Sequence, residues 1–399
     1  MKKVLSSILL FMLAFSMFSC SDDDDNGKKT PGQTFQSDET VIVFFPYTVN
    51  LYKYLNKNIS DIESAMLKTK DNPNVIVYIN ESKNKSCIYN IRRDGDVCVH
   101  DTLRVYQEND YTSAQGLANL FTEIKTLTPG TKSYSMIVGC HGMGWIYSDD
   151  YKDVQRMSPA LYKDSYDADP VTRWMGVASA MIDMDKLAQG MEMASLHTRL
   201  MLFDVCYMGN IESVYELRNV SDYIIASSIE IMARGMEYEK IWEDIISSSE
   251  ESLNNICNKF YAGYNSSDQP YAAIATLDCD KMENLAAVVK DINSACEFPE
   301  EMRDSLQMLD GFRPSLFYDL GRYVELQCQN EELLSRFDQA MDEVVIYKYN
   351  TDKYYTSLAQ GAAGTHQIRY CSGVTTSAPS LNELKVKGWS RTQWYKATH

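Results

Sequence analysis

Four stretches of this chain are almost continuously apolar and rich in β-branched or aromatic residues: 41–49 (VIVFFPYTV), 74–80 (NVIVYIN), 133–140 (SYSMIVGC) and 199–206 (RLMLFDVC). A strand with one solvated face alternates apolar and polar residues, so unbroken runs of this kind belong to strands covered on both sides. Between them the period changes. Leu51, Leu55, Ile59, Ile62 and Met66 recur at spacings of three and four, the mark of a helix with one buried face. Helices are also expected over 113–127 and 181–194. Strands alternating with helices need crossover connections, which predicts an α/β fold whose sheet is parallel or mostly parallel and covered on both faces. Further strands are expected at 222–228 (DYIIASS) and 271–278 (YAAIATLD), with a hairpin, 87–93 and 96–100, around Asp94-Gly95. From about residue 280 the pattern is mainly helical, until a late strand and turn at 370–380.

Ligands of open α/β sheets bind beyond the carboxyl ends of the strands. The unusual residues fall there: His141-Gly142-Met143-Gly144-Trp145 follows the strand at 133–140, and Cys206 ends the strand at 199–206. A cysteine attacks as its thiolate, and an adjacent imidazole takes the proton and returns it to the leaving amine. Of the five histidines, His100 lies in the hairpin, His197 in a helix-to-strand connection, His366 in a late Gly-rich segment, and His399 at the terminus. Only His141 stands at a strand end inside a glycine turn. Gly142 lets the backbone turn sharply and present an N–H to a developing oxyanion. Spacing alone leaves two readings open: a nucleophile with its base, or a buried core thiol and a turn histidine.

The local strings CHGMGW (140–145) and FDVCYMGNIESVYELRNVSDYIIAS (203–227) closely resemble the clostripain family of cysteine peptidases. That family pairs His-Gly-x-Gly-Trp after one strand with Phe-Asp-x-Cys-x-Met-Gly and an amphipathic helix after another. VIVFFPYTVNLYKYL resembles the family's first strand and helix, and the ending Trp394-Tyr395-Lys396-Ala397-Thr398 resembles related secreted members. The resemblance covers roughly 41–399. It implies a caspase-like three-layer sandwich with a catalytic core over 41–250 and a C-terminal region, 251–399, that completes the sheet and adds helices. It further implies an endopeptidase working through a thioester acyl-enzyme, with His141 and Cys206 as the dyad, no cofactor, and protein or peptide substrates. The backbone N–H groups of Gly142 and Cys206 would be the oxyanion donors. Asp204 matches an acidic residue of a specificity pocket that favours arginine or lysine before the cleaved bond, because a desolvated carboxylate pairs bidentately with a guanidinium.

The chain departs from the family where Glu-x-Pro-Gly-x-Gly-Trp-x-Tyr is usual. Here Glu230-Ile231-Met232-Ala233-Arg234-Gly235-Met236-Glu237-Tyr238 keeps Glu230, Gly235 and Tyr238, lacks the Pro-Gly pair, and has Arg234 where a second pocket acid can stand. Glu230 and Arg234 are therefore assigned to the pocket with Asp204, and Arg234 is expected to repel a basic side chain or neutralise Asp204, weakening or altering basic specificity. Val205, where alanine is common, reads as a packing change. Family members often cut themselves between the histidine and the cysteine, and the polar stretch Ile146–Gly176 offers Lys152, Arg156, Lys163 and Arg173. Asp149, Asp150, Asp153, Asp164, Asp167 and Asp169 fit no defined calcium loop and read as solvated, although some relatives are associated with calcium.

Residues 1–19 carry Lys2 and Lys3 before an apolar run ending in Met17-Phe18-Ser19-Cys20, which resembles a lipoprotein signal with acylation at Cys20. Residues 20–40, opening on Ser21 and four aspartates, read as a flexible acidic tether. The expectation is a monomeric lipoprotein of the cell envelope, on the outer membrane or surface of a Gram-negative bacterium. The net charge of −17 repels nucleic acid. The remaining cysteines form no C-x-x-C pair, so no zinc site is expected. Two rivals share the fold: a decayed surface binding protein, favoured by the altered 230–238 loop, and a transpeptidase using the same thioester.

Overall fold

A computed structural model of the chain describes residues 34–46, 51–82, 85–107, 110–157, 172–173, 181–358 and 364–399. The leader at 1–19, Cys20, most of the tether, the 47–49 end of the first apolar run, Lys163, Asp164, Asp167 and Asp169 lie outside the described residues.

The continuous apolar runs become strands β1 (Glu39–Phe45), β2 (Asn74–Ser82), β5 (Ser133–Gly139) and β6 (Thr198–Asp204). The hairpin is β3 (Lys85–Asp94) and β4 (Val97–Gln107), turning at Gly95. With β7 (Ser221–Ser227), β8 (Ala273–Asp278) and Val345–Asn350 they form a nine-stranded sheet. Its centre, β2-β1-β5-β6-β7, is parallel throughout. The β3–β4 hairpin adds antiparallel to β2, and β8 with Val345–Asn350 adds antiparallel to β7. The mostly parallel sheet is thus as expected, but Val345–Asn350 is a strand inside a region read as helical.

Helices cover both faces. On one, α1 (Tyr52–Lys68) packs on α6 (Tyr238–Ile245), which packs on α7 (Glu250–Asn265). On the other, α2 (Ala114–Leu127), α4 (Met184–Met193) and α5 (Ile211–Leu217) pack in succession, and α8 (Met282–Ala295) packs against the C-terminal helix Gln393–Thr398. Ser113 caps α2 by accepting from the Gly116 N–H, which sets its start where the periodicity begins. Leu55, Ile59, Ile62 and Met66 of α1 are all buried, as their spacing requires. No helix among the described residues is long and apolar enough to cross a membrane.

The C-terminal region packs into the half of the chain that precedes it. Thr375 and Thr376 pair with Tyr318 and Asp319, and the Thr375 N–H donates to the Gly209 carbonyl at 2.9 Å. Trp145 Nε1 donates to Ser377 Oγ at 2.7 Å, and Trp394 packs edge-on against Tyr215 of α5 at 5.4 Å.

Candidate active site

Strands β5 and β6 run parallel with Gly139 opposite Asp204, so His141 and Cys206 stand two residues beyond the last paired positions of adjacent strands. Both are buried. The turn carrying Cys206 is held from three sides. The Tyr207 N–H donates to the Ile229 carbonyl at 3.1 Å, and the Gly209 N–H to Ser227 at 2.7 Å. Asn210 caps α5 by accepting from the Ser213 N–H, while its amide donates to the Tyr207 carbonyl. Tyr207 is held at φ +59°, an uncommon conformation for a side-chain-bearing residue. The His141 loop lies directly on this turn: a Cβ at Gly142 would come within 2.0 Å of Val205 Cγ1 and 2.8 Å of the Cys206 carbonyl oxygen.

The site is filled by the chain itself. Thr172 bridges to Met232 in antiparallel fashion, and the Arg173 N–H donates to the Ile231 carbonyl at 2.7 Å. The Arg173 carbonyl accepts from the Gly142 N–H at 3.1 Å. Its side chain is wholly buried, with Nη1 3.1 Å from Asp204 Oδ2 and 2.9 Å from the Asp204 carbonyl. Nη2 donates to Asn58 Oδ1 at 2.8 Å and to the Ala233 carbonyl at 3.2 Å. Asp204 Oδ2 also accepts from the Met236 N–H at 3.1 Å and the Tyr238 hydroxyl at 2.9 Å. A buried charge pair is tolerated only with such additional hydrogen bonds. Gly235, at φ +66°, leaves the room: a Cβ there would stand 2.0 Å from Arg173 Nη2 and 2.3 Å from Asp204 Oδ2.

Cys206 Sγ accepts from the Ile231 N–H at 3.1 Å. Burial pushes its thiol pKa well above the ordinary value and the charge of Glu230 adds to this, while the Ile231 hydrogen bond and Arg173 oppose it. With the 172–173 segment in place, Cys206 is a covered thiol.

The expected pocket residues part company. Asp204 sits against the buried Arg173 guanidinium. Arg234 does not face that carboxylate: its own guanidinium lies over the Tyr264 ring, 4.1 Å from the ring centroid, and donates to Ser267 Oγ at 3.1 Å. The physical reason is that Tyr264 and Ser267 offer this cation a face and an acceptor, while only the Arg234 carbonyl turns inward, to Asn58 Nδ2 at 3.2 Å. The anticipated neutralisation of Asp204 is replaced by pairing with Arg173. Glu230 belongs to a different cluster, accepting from Tyr207, Thr172, Thr356 and Ser357. Asn58 was not anticipated, although a polar residue three positions after Leu55 and four before Ile62 in the buried stripe of α1 was a visible anomaly. Of the other described basic residues in the 146–176 stretch, Lys152 pairs with Asp149 and Arg156 with Asp153 on the outer face of helix α3 (Ser148–Met157), and Asp150 pairs with Arg391. Among the described residues no three His, Cys, Asp or Glu side chains gather as a metal site.

The family model of the clostripain family matches residues 43–370. A secreted C11 cysteine protease from Bacteroides thetaiotaomicron, "iotapain", is 35% identical, with 92% of this chain and 100% of that one covered and a TM-score of 0.81. A clostripain from Bacteroides thetaiotaomicron ATCC 29148, solved with the peptide inhibitor BTN-VLTK-AOMK, is 38% identical over 56% of this chain and 97% of that one, with a TM-score of 0.53. An inactive zymogen C11 protease from Parabacteroides distasonis, 24% identical over 92% and 99%, shares the fold at a TM-score of 0.76. Among curated proteins no match is found. A model matching most of the chain, a structure alike over nearly its whole length, and both sequence motifs at adjacent strand ends lead to one assignment: the chain belongs to the clostripain family and is a cysteine-type peptidase.

Proposed function

We propose that the protein is an endopeptidase that cleaves after arginine or lysine through a Cys206–His141 dyad, and that the uncleaved chain holds its own Thr172-Arg173 segment as the first substrate. The observation that carries this is Arg173: its guanidinium pairs with Asp204 while its carbonyl accepts from the Gly142 N–H. In this reading His141 takes the Cys206 proton, and the sulfur attacks the Arg173 carbonyl carbon. The oxygen gains negative charge opposite the N–H of Gly142, with the Cys206 N–H as the second donor. The tetrahedral adduct then breaks its bond to the Trp174 nitrogen, which leaves with the proton held by His141. Water, deprotonated by His141, hydrolyses the thioester and regenerates the thiol. Chemistry of the same kind on free peptides requires that the 172–173 segment first leave the cleft. The inhibitor bound to the ATCC 29148 clostripain contains Thr-Lys, the same order of residue classes as Thr172-Arg173, which supports a basic preference.

Arg173→Ala is expected to remain a single chain under conditions in which the wild type separates into two pieces with Arg173 as a new C-terminus, read by intact mass. Cutting of the variant at the same bond and rate rejects the assignment of Arg173. We further propose that the mature protein is tethered outside the cytoplasm by an acylated Cys20; the lipobox-like end of the leader supports this, and a similar structure is described as secreted. Metabolic labelling with a fatty acid should mark the wild type and be lost in Cys20→Ala; equal labelling of both rules it out.

A further inference from the structure

We infer that Glu230 and Ser357 form a second specificity subsite, selecting a hydroxyl-bearing residue, threonine or serine, immediately before the basic residue at the cleaved bond. This rests on reading Thr172-Arg173 as a bound substrate segment. The segment runs as a short strand against Ile231 and Met232, so successive side chains leave it in opposite directions. Arg173 enters the Asp204 pocket; Thr172, also buried, enters a separate one.

That second pocket is built around a buried carboxylate with several partners among the described residues. Glu230 Oε1 accepts from the Tyr207 hydroxyl at 2.8 Å, from Thr356 Oγ1, and from the Ser357 N–H at 3.1 Å. Oε2 accepts from the Ser357 N–H at 3.0 Å and Ser357 Oγ at 2.7 Å. The remaining donor to Oε2 is Thr172 Oγ1 at 2.5 Å, which also lies 2.8 Å from Ser357 Oγ, so that both hydroxyls converge on one oxygen. All donors but this one belong to the permanent fold. When the 172–173 segment departs, Oε2 keeps Ser357 and loses Thr172. An incoming peptide that is apolar at this place covers a carboxylate oxygen without replacing its donor, and leaving a buried polar group short of a partner is where selectivity is greatest. The pocket is also tied to the nucleophile. Tyr207, next in sequence to Cys206, holds Glu230 through its hydroxyl, so the subsite and the reacting sulfur share one rigid turn. Nothing local in the sequence joins these residues, since Glu230 and Ser357 lie 127 positions apart.

The test uses the full chain, in which self-cutting after Arg173 is followed by intact mass. Thr172→Val should slow the cut by about 10–100-fold, the factor for losing one hydrogen bond to a charged group, whereas Thr172→Ser should stay close to the wild-type rate. A Val variant that cuts at the wild-type rate overturns the inference. The cut protein is then given peptides with arginine at the cleaved bond and Thr, Ser, Val, Ala or Lys before it. Threonine and serine should exceed valine by about 10–100-fold in kcat/KM. Ser357→Ala should narrow that ratio while leaving the preference for arginine over glutamine at the cleaved bond intact; this milder change avoids depending on Glu230→Gln, which removes a carboxylate the fold also uses. Equal cleavage of the threonine and valine peptides, or preference for lysine before arginine, overturns the subsite alone. If no peptide is cut after arginine, the underlying reading of the Asp204 pocket fails first, and the two failures are told apart.

Discussion

Cys206→Ala is expected to yield a chain that stays in one piece and hydrolyses no peptide, with loss of activity on the order of 10⁵-fold or more, as for nucleophiles that act as part of a unit. His141→Ala should fall nearly as far, because the imidazole both removes the thiol proton and returns it to the leaving amine. The effect should be chemical rather than structural. Cys206 is buried, but its sulfur makes only weak hydrogen bonds to backbone, among them those with the Ile231 N–H and carbonyl, and the turn around it is fixed by Tyr207, Gly209 and Asn210. Losing the small sulfur therefore costs on the order of 1 kcal/mol of stability, within what a native domain tolerates. Intact mass after incubation, hydrolysis of arginine peptides and a thermal melt measure the three quantities separately. A Cys206→Ala chain that folds and still cuts between Arg173 and Trp174 would assign the nucleophile elsewhere. A wild-type chain that never cuts anything would favour the decayed binding protein, the rival raised by the altered 230–238 loop.

The sheet was legible because its central strands are buried on both faces, so their sequences carry unbroken apolar runs, and because the helices between them change period. The same reasoning failed at Val345–Asn350. The preceding helix, Glu331–Val344, ends one residue before the strand begins, with no glycine or proline to mark the change, and the apolar residues run on without a break. The candidate dyad could be proposed from the sequence because His141 and Cys206 both follow strands that the sequence itself defined. The pocket could not, because it is assembled from distant segments: Asn58 on α1, Asp204 at the end of β6 and Gly235 in the loop after β7. Proximity in sequence made Arg234 look like a neighbour of Asp204, yet a residue beside a sharply turning glycine can send its side chain away from its own backbone. Which of the basic residues between His141 and Cys206 would enter the pocket was likewise a tertiary question. Lys152 and Arg156 pair with acids on their own helix, whereas Arg173 pairs with Asp204 at the end of the neighbouring strand β6.

Asp204→Asn should separate peptidase activity from basic preference. The ion pair between Asp204 and Arg173 has both side chains fully buried, and removing one member of such a pair costs about 3–5 kcal/mol because the other charge is left uncompensated. For cleavage after arginine that corresponds to a fall in kcat/KM of roughly 10²–10³-fold or somewhat more. Asparagine keeps the shape, and its oxygen can still accept from Tyr238 and from the Met236 N–H, so the pocket wall should stay in place. Activity toward a peptide with glutamine before the bond should change little, which makes the ratio of arginine to glutamine the informative number. Self-cutting after Arg173 should slow by a similar factor, and the uncut variant should melt earlier than the wild type because it buries the Arg173 charge without its partner. Gly235→Ala reaches the same loss by another route. Its Cβ would occupy the space of the Arg173 guanidinium beside an intact Asp204, and alanine is strained at φ +66°. An Asp204→Asn protein that still prefers arginine over glutamine by the wild-type factor would move the source of specificity to the neutral acceptors, Asn58 Oδ1 and the Ala233 carbonyl. Neither carries a charge, and both would bind an uncharged donor of the same shape nearly as well; a preference of several hundredfold for the cation therefore has to come from the carboxylate.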